Sequence, residues 1–221
     1  MNPRKIAIDV LIRVEQGAYS HIALKEALLK SEISPLDKAF VTELVYGTIR
    51  RRNTLDFIIN SFVQKRNQRD EIRCILRMGV YQLRYMRVPA SAAVNESVKL
   101  VSTFHLEGQK GFVNAVLRNV ERSKDKDFLA SVTNPVKKMA LEYSHPSWIV
   151  ERYVKKYGAE DAAALLTFNN KPSKNIARVN ILKTTTEDLI ALLQEEGIEA
   201  EVYLIPNTIT VKGQGKILSS E

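Results

Sequence analysis

Apolar residues recur at helical spacing through most of the first 124 positions, and the pattern is clearest over residues 69–122. At roughly 100° per residue, Ile72, Ile75, Leu76, Gly79, Val80, Leu83 and Met86 share one broad face. Arg69, Arg73, Arg77 and Arg84 fall in a narrow stripe beside it, with Tyr81 at the edge. Phe112, Val113, Val116, Leu117 and Val120 make a second apolar stripe, opposed by Lys110, Asn114, Arg118 and Arg122 at intervals of four. The apolar stripes predict core. The guanidinium stripes read as a surface that meets RNA.

The same spacing predicts helices before this stretch. Pro3 suits a first helical position, where its missing N–H is not needed, and Ile6, Ala7, Val10, Leu11 and Val14 follow up to Gly17. A second helix over about 20–31 buries Ala23, Leu24, Ala27 and Leu28. Ser34-Pro35-Leu36-Asp37 is a start signal, with a capping serine, a proline in the first turn and an acid facing the helix dipole. Leu55, Ile58, Ile59 and Phe62 form another helix, which the polar run Gln64 to Gln68 ends. Residues 1–124 thus read as an all-α bundle of some seven helices with short connections.

Lys124-Asp125-Lys126-Asp127 is a charged connector, after which Phe128–Val132 and Pro135–Leu141 continue as helix. A further helix begins at His145-Pro146-Ser147-Trp148 and stops at Gly158; another follows from Ala159 to Phe168. Beyond Pro172 the period changes to two. Ala177, Val179 and Ile181 alternate, Thr184-Thr185-Thr186-Glu187 resembles a capping box before Leu189, Ile190 and Leu193, and Gly197 closes that helix. Ile198, Ala200, Val202 and Leu204 alternate again, and Ile209 with Val211 makes a third strand after Pro206-Asn207. The predicted β-α-β-β unit has too few strands for a comfortable independent sheet and needs something else to pack on.

Charge sharpens this picture. Of the 33 basic and 25 acidic residues, residues 1–128 hold 22 and 14, while residues 129–221 hold 11 and 11. All of the net +8 therefore lies in the first segment, as a polyanion partner or a solubilising basic surface would require. Arg50-Arg51-Arg52 cannot all point one way on a helix, so they grip an irregular polyanion or solvate a corner. The single cysteine, Cys74, excludes an internal disulfide and a Cys-based zinc cluster. His21, His105 and His145 are too scattered to suggest a metal. Arg4, Lys5, Asp9 and Arg13 interrupt any signal-peptide core, and no apolar run approaches the ~18 residues of a membrane span. The chain reads as cytoplasmic, with neither membrane nor metal as partner.

No constellation carries catalysis. Phosphate-binding glycine loops of the Walker or Rossmann kind do not occur, and Gly213-Gln214-Gly215 lacks a strand-to-helix context. His145 beside Ser144 and Ser147 has no paired acid and reads as a residue at a helix start. Cys74 lies between arginines that would lower its pKa, yet reads as a structural thiol. Asn95-Glu96 and Asn114 read as interhelical hydrogen-bonding groups ahead of RNA contacts.

IRCILRMGVYQLRYMRVPASAAVNESVKL, GQKGFVNAVLRNV and LVYGTIRRRNTLDFII together resemble the NusB-like helical domain. That domain is shared by the transcription antitermination factor NusB and the Sun/Fmu-type (RsmB) ribosomal RNA cytosine methyltransferases. HPSWIVERYVKKYG and NNKPSKNIARVNILKTT are similar to the linker that precedes the catalytic domain in the methyltransferases. The resemblance covers essentially the whole chain. It implies a mainly α fold, with a NusB-like RNA-binding bundle over residues 1–128. A helical linker plus a small α+β unit then fills residues 129–221.

It further implies the N-terminal part of a ribosomal RNA (cytosine-C5) methyltransferase, positioning small-subunit ribosomal RNA for methylation. A stand-alone antitermination factor is the alternative. The family's glycine-rich S-adenosylmethionine loop, catalytic Pro-Cys segment and second cysteine have no counterpart here, and Cys74 lies in the wrong domain. The chain alone is therefore expected to be a non-enzymatic fragment without cofactor. S-adenosylmethionine and a catalytic domain in cis would belong to the full-length enzyme. The expected RNA contacts are Arg50, Arg51, Arg52, Arg69, Arg73, Arg77, Arg118 and Arg122, with Arg4 and Lys110 beside them; the planar guanidinium engages phosphate oxygens bidentately. Tyr81 reads as either a base-stacking or a buried ring.

Overall fold

The computed structural model describes residues 2–63, 68–171 and 174–212, so most of the polar run from Gln64 and the Gly213-Gln214-Gly215 element lie outside the described residues. The chain falls into two compact units, residues 1–170 and 171–221. In the first, α1 (Pro3–Glu15), α2 (Ser20–Leu29), α3 (Pro35–Arg50) and α4 (Arg52–Asn60) precede α5 (Asp70–Tyr85) and α6 (Ala90–Ser102). A short 3₁₀ turn (Glu107–Gln109) leads into α7 (Lys110–Arg122), and α8 (Pro135–Glu142) and α9 (Ser147–Asn169) complete the unit. The seven helices expected before residue 124 are present.

Their starts follow from local chemistry. The side chain of Asn2 accepts the N–H of Arg4 ahead of Pro3, and Ser34 Oγ accepts the N–H of Asp37 ahead of Pro35. Each satisfies a donor that the helix leaves without an internal partner. α5 is central: it packs on α1, α3, α4, α6 and α7, and residues 74–82 are buried without a break. Two close approaches set how tightly it sits. A Cβ on Gly47 would lie 2.0 Å from the Tyr81 ring, and one on Gly79 would lie 2.8 Å from Leu117. Glycine at these positions lets α3 and α7 approach α5. Tyr81 is consequently buried, stacked on Tyr85 at 5.5 Å, and donates its hydroxyl to Glu43; it is not a free stacking ring.

Residues 128–131 form turns rather than the expected helix. Phe128 is drawn into the core, edge-on to Phe62 at 5.7 Å, and Asp127 Oδ1 accepts the Leu129 N–H at 2.8 Å. α9 breaks at Gly158, where the helix was expected to stop, with φ 83° and ψ 170°, backbone that glycine adopts without a steric penalty. Asn95 and Asn114 are exposed and make no interhelical hydrogen bond among the described residues. No helix among the described residues is long and apolar enough to cross a membrane.

The second unit contains β1 (Asn175–Arg178), α10 (Thr186–Glu195), β2 (Ala200–Val202) and β3 (Thr208–Val211). Its antiparallel sheet has the order β1-β3-β2, with Arg178 opposite Thr208 and Val202 opposite Ile209. Val179, Leu193, Ile198, Ala200, Ile209 and Val211 form its core. The cap of α10 is Thr185, paired with Asp188, one residue later than the Thr184–Glu187 pair suggests. The strands are shorter than the alternation predicts. Asn180 Oδ1 accepts the Leu182 N–H and turns the chain, leaving Ile181, Leu182, Leu204 and Ile205 exposed at one end of the sheet.

The Gly47–Tyr81 contact gives a direct test. Gly47→Ala should destabilise the fold by about 1–3 kcal/mol through overpacking. Gly111→Ala, with nothing within 4 Å of the added carbon, should be neutral or stabilising by up to ~1 kcal/mol. Urea titration of both variants reads the difference.

Candidate nucleic-acid interface

The arginine stripe of α5 divides into an inner and an outer part. Arg77 lies inside: its side chain is 8% exposed. Nε and Nη2 donate to Asp56 Oδ1 and Oδ2 at 2.7 and 2.8 Å, and Nη1 lies 3.0 Å from Glu15 Oε1. Arg73 Nε pairs with the same Asp56 Oδ1 at 2.9 Å, and its Nη atoms donate to Asn60 Oδ1 and Gln68 Oε1. Arg52 Nη2 reaches Glu15 Oε2 at 2.8 Å. Three guanidiniums and two carboxylates thus form one network across α1, α4 and α5. Burial lowers the Arg73 pKa, with Asp56 opposing. For Arg77 burial is the largest single influence and acts downward, but the bonds and charges of Asp56 and Glu15 outweigh it, leaving the pKa raised. The expectation that Arg73 and Arg77 face RNA is therefore revised: their donors are consumed internally.

Arg4 is also internal in function. Its Nε donates to Gln82 Oε1 at 2.8 Å, supplying a partner for a fully buried amide, and its guanidinium lies 5.0 Å from the Phe40 ring centre. Burial lowers its pKa, with Glu96 opposing.

Arg50-Arg51-Arg52 occupy the α3–α4 junction and diverge. Arg52 turns to Glu15. Arg51 lies 5.1 Å from the Tyr85 ring centre and donates to the Glu142 carbonyl at 3.4 Å. Arg50 carries no ion pair among the described residues and lies near enough to Tyr81 to oppose the rise that burial and Glu43 impose on its phenol. Arg51 and Arg84 act likewise on Tyr85, whose phenol burial pushes up. Arg84 donates to the carbonyls of Ser123 and Lys124 just past α7. It lies over Phe128 at 5.5 Å, with Lys126 at 5.3 Å from the same ring. The ends of α3, α5 and α7 thus converge on a basic surface with aromatic rings set into it, and Tyr85 is 40% exposed.

Of the sequence-predicted contacts, this surface unites Arg50 and Arg51 with the end of α7 that carries Arg122. Lys110 and Arg118 lie further back on α7, Arg118 paired with Glu121 at 2.8 Å. Arg69 is exposed at the start of α5, 3.4 Å from Glu71. Arg84 belongs to the stripe that the sequence reads as RNA-facing, though not to the named contacts; Tyr85, Arg87 and Lys126 are in neither, and the alternation of cation and aromatic in Arg84-Tyr85-Met86-Arg87 is the signal that could have found the first two.

A reciprocal clamp fixes the neighbouring helices. Ser144, between α8 and α9, has φ 57° and accepts the N–H groups of Asn53 and Thr54 at 3.1 and 3.4 Å, capping α4 from about ninety residues away in sequence. Thr54 Oγ1 in turn donates to the Leu141 carbonyl at the end of α8. Both helix ends thereby satisfy groups left unpaired within their own helices. Ser144 is a cap rather than a nucleophile.

Cys74 is 2% exposed, and burial pushes its thiol up to about 12 against the opposing charge of Arg77. The nearby arginines do not activate it.

Two outcomes follow. Arg77→Leu leaves Asp56 and Glu15 short of a partner and should cost about 3–5 kcal/mol. The double variant Arg77→Leu/Asp56→Leu should recover part of that loss in urea titration. The Cys74 thiol stays protonated in the folded chain while the unfolded chain ionises from about pH 9, so this group's stabilisation is complete below pH 9 and lost as pH rises. Stability should fall between pH 9 and 12 by up to ~1.4 kcal/mol per pH unit more than in Cys74→Ala, measured by denaturation at each pH.

Comparison with known proteins places this arrangement. The sequence model of the NusB family matches residues 1–122, and that of the Methyltr_RsmF/B-like, ferredoxin-like domain matches residues 145–217. The probable ribosomal RNA small subunit methyltransferase B of Bacillus subtilis (strain 168) is 35% identical over 201 residues, covering 90% of this chain and 45% of that protein. Its counterpart in Synechocystis sp. is 34% identical, covering 88% of this chain and 44% of that protein. The chain spans about half the length of these relatives. Among solved structures, PH0851 superposes with TM-score 0.71 at 20% identity, covering all of this chain and 51% of that one. An antitermination factor chain from the complex of NusB and NusE with double-stranded RNA gives TM-score 0.51 at 25% identity, covering 55% of this chain and 94% of that one. With its NusB match spanning the bundle built around α5, the chain belongs to the NusB family.

Proposed function

We propose that this chain recognises small-subunit ribosomal RNA as part of a larger S-adenosylmethionine-dependent cytosine-C5 methyltransferase. The observation that carries the reading is the convergence of Arg51, Arg84 and Lys126 around Tyr85 and Phe128, with Arg50 beside the neighbouring Tyr81. Guanidiniums hold phosphate oxygens, and an exposed ring gives an unpaired base a stacking surface. Arg87 and Arg122, exposed at the ends of α5 and α7, extend it. The names of the two relatives and the RNA in the NusB–NusE complex support the same direction.

The RNA-binding part is residues 1–128, and residues 129–221 connect it to a catalytic domain in cis. The exposed Ile181, Leu182, Leu204 and Ile205 suit that apolar contact. In this reading the methyl donor belongs to that further domain, and no catalytic step is assigned to this chain. The cytoplasm, where ribosomal RNA is modified, is its proposed location. The match of residues 145–217 to a ferredoxin-like domain does not favour the antitermination alternative.

Arg50, Arg87 and Arg122 carry no ion pair among the described residues, so their replacement by glutamine should leave the fold intact. Fluorescence anisotropy with a small-subunit ribosomal RNA fragment at several salt concentrations should show weaker binding by the triple variant. The slope of log affinity against log salt should fall by roughly 0.7–0.9 for each phosphate that is no longer neutralised. An unchanged slope would remove these residues from the interface.

A further inference from the structure

A groove of about 280 Å³ opens between α4, α8 and the start of α9. One wall, α4, lies within the NusB match, while α8 falls between the two matches, which end at residue 122 and begin at residue 145. We propose that this groove is a subsite for one unpaired nucleotide of the bound RNA, an inference that rests on the RNA-binding reading above.

Size and chemistry agree. The groove is near the lower limit for small-ligand sites, about 300 Å³, which suits a single nucleotide and excludes a duplex. Phe57, Ala140 and Leu141 give it an apolar wall against which a base face can rest. Asn53 and Asn60 also line it. A carboxamide offers both donors and an acceptor to a base edge. Asn60 Oδ1 already accepts from Arg73, so its amide protons are the part left for a ligand. Asp56 lines the groove as well, but its two oxygens receive Arg73 and Arg77, which neutralises its repulsion of phosphate. Lys137 supplies an exposed ammonium beside it.

His145 adds a directional group. Its Nδ1 sits 2.7 Å from the Tyr143 carbonyl; a carbonyl only accepts, so Nδ1 carries the proton. In the neutral ring Nε2 is then the acceptor, with no partner among the described residues, suited to a ribose 2′-hydroxyl. The residue before it, Ser144, is held at φ 57° by its two bonds to α4. Strained backbone of this kind is kept where surrounding structure fixes it, often at binding sites.

Continuity with the basic surface supplies the route. Arg51 spans the two, facing Tyr85 on one side and donating to the Glu142 carbonyl at the end of α8 on the other. A strand whose phosphates run along Arg50 and Arg51 passes directly to the groove that begins at Asn53.

The test uses the 221-residue chain and a single-stranded RNA of about twelve nucleotides, within the span that one single-strand-binding domain covers. The RNA carries 4-thiouridine and is used free or annealed to its complement. Irradiation of the single strand should crosslink to peptides covering residues 53–60 or 137–147, and the duplex should not crosslink there. Asn53→Trp, which fills the groove from an exposed position, and Lys137→Ala should each weaken single-strand binding by about fivefold or more while duplex affinity and melting temperature hold. Crosslinks confined to other segments, with both variants binding as the wild type does, would overturn the subsite and leave the RNA reading standing. Failure of the wild-type chain to bind either RNA would overturn that reading, and the subsite with it.

Discussion

Arg77 is the point on which the arrangement of α1, α4 and α5 turns. A guanidinium buried in the bundle is costly to desolvate, and it is tolerated because two carboxylates from different helices reach it with direct hydrogen bonds. Asp56 fixes the rotation of α4 about its axis, and Glu15 fixes the end of α1. Arg73 and Arg52 complete the remaining carboxylate valences. The network therefore sets where α4 begins, and with it the positions of Arg51, Asn53 and Thr54.

From that start the surface follows. α4 receives its cap from Ser144 and returns a hydroxyl to the end of α8, so the extension beyond the seven-helix bundle is tied to it by hydrogen bonds rather than by a large apolar contact. The arginines divide accordingly. Those facing acids hold helices together, while those facing aromatic rings and backbone carbonyls keep part of their donor capacity outward. Arg51 and Arg84 are of the second kind: each lies over a ring and touches a helix end. Such guanidiniums are oriented before any ligand arrives, which lowers the ordering cost of binding.

The helices were legible because their signals are local. Apolar spacing, Ser34 and Pro35, and Gly158 each act within a turn or two, and the β-α-β-β order followed from a change of period. The fate of the α5 stripe was not legible. A column of arginines looks the same whether it meets phosphates or carboxylates, and the deciding acids, Glu15 and Asp56, sit on other helices. Tyr81 illustrates the same limit, since its burial depends on Gly47 of α3. Phe128 was drawn from a predicted helix into a turn by a pocket formed near Phe62. The three arginines at residues 50–52 were correctly seen to diverge, but their separate partners required the fold.

The proposed RNA-binding surface lies at the ends of α3, α5 and α7. Hydrogen exchange of the chain with and without a small-subunit ribosomal RNA fragment tests it most directly, because exchange reports which backbone segments the ligand covers without altering any side chain. Added protection is expected around residues 50–56, 82–88 and 122–128. Protection confined to α2 or to the second unit, with those three segments unchanged, would contradict it.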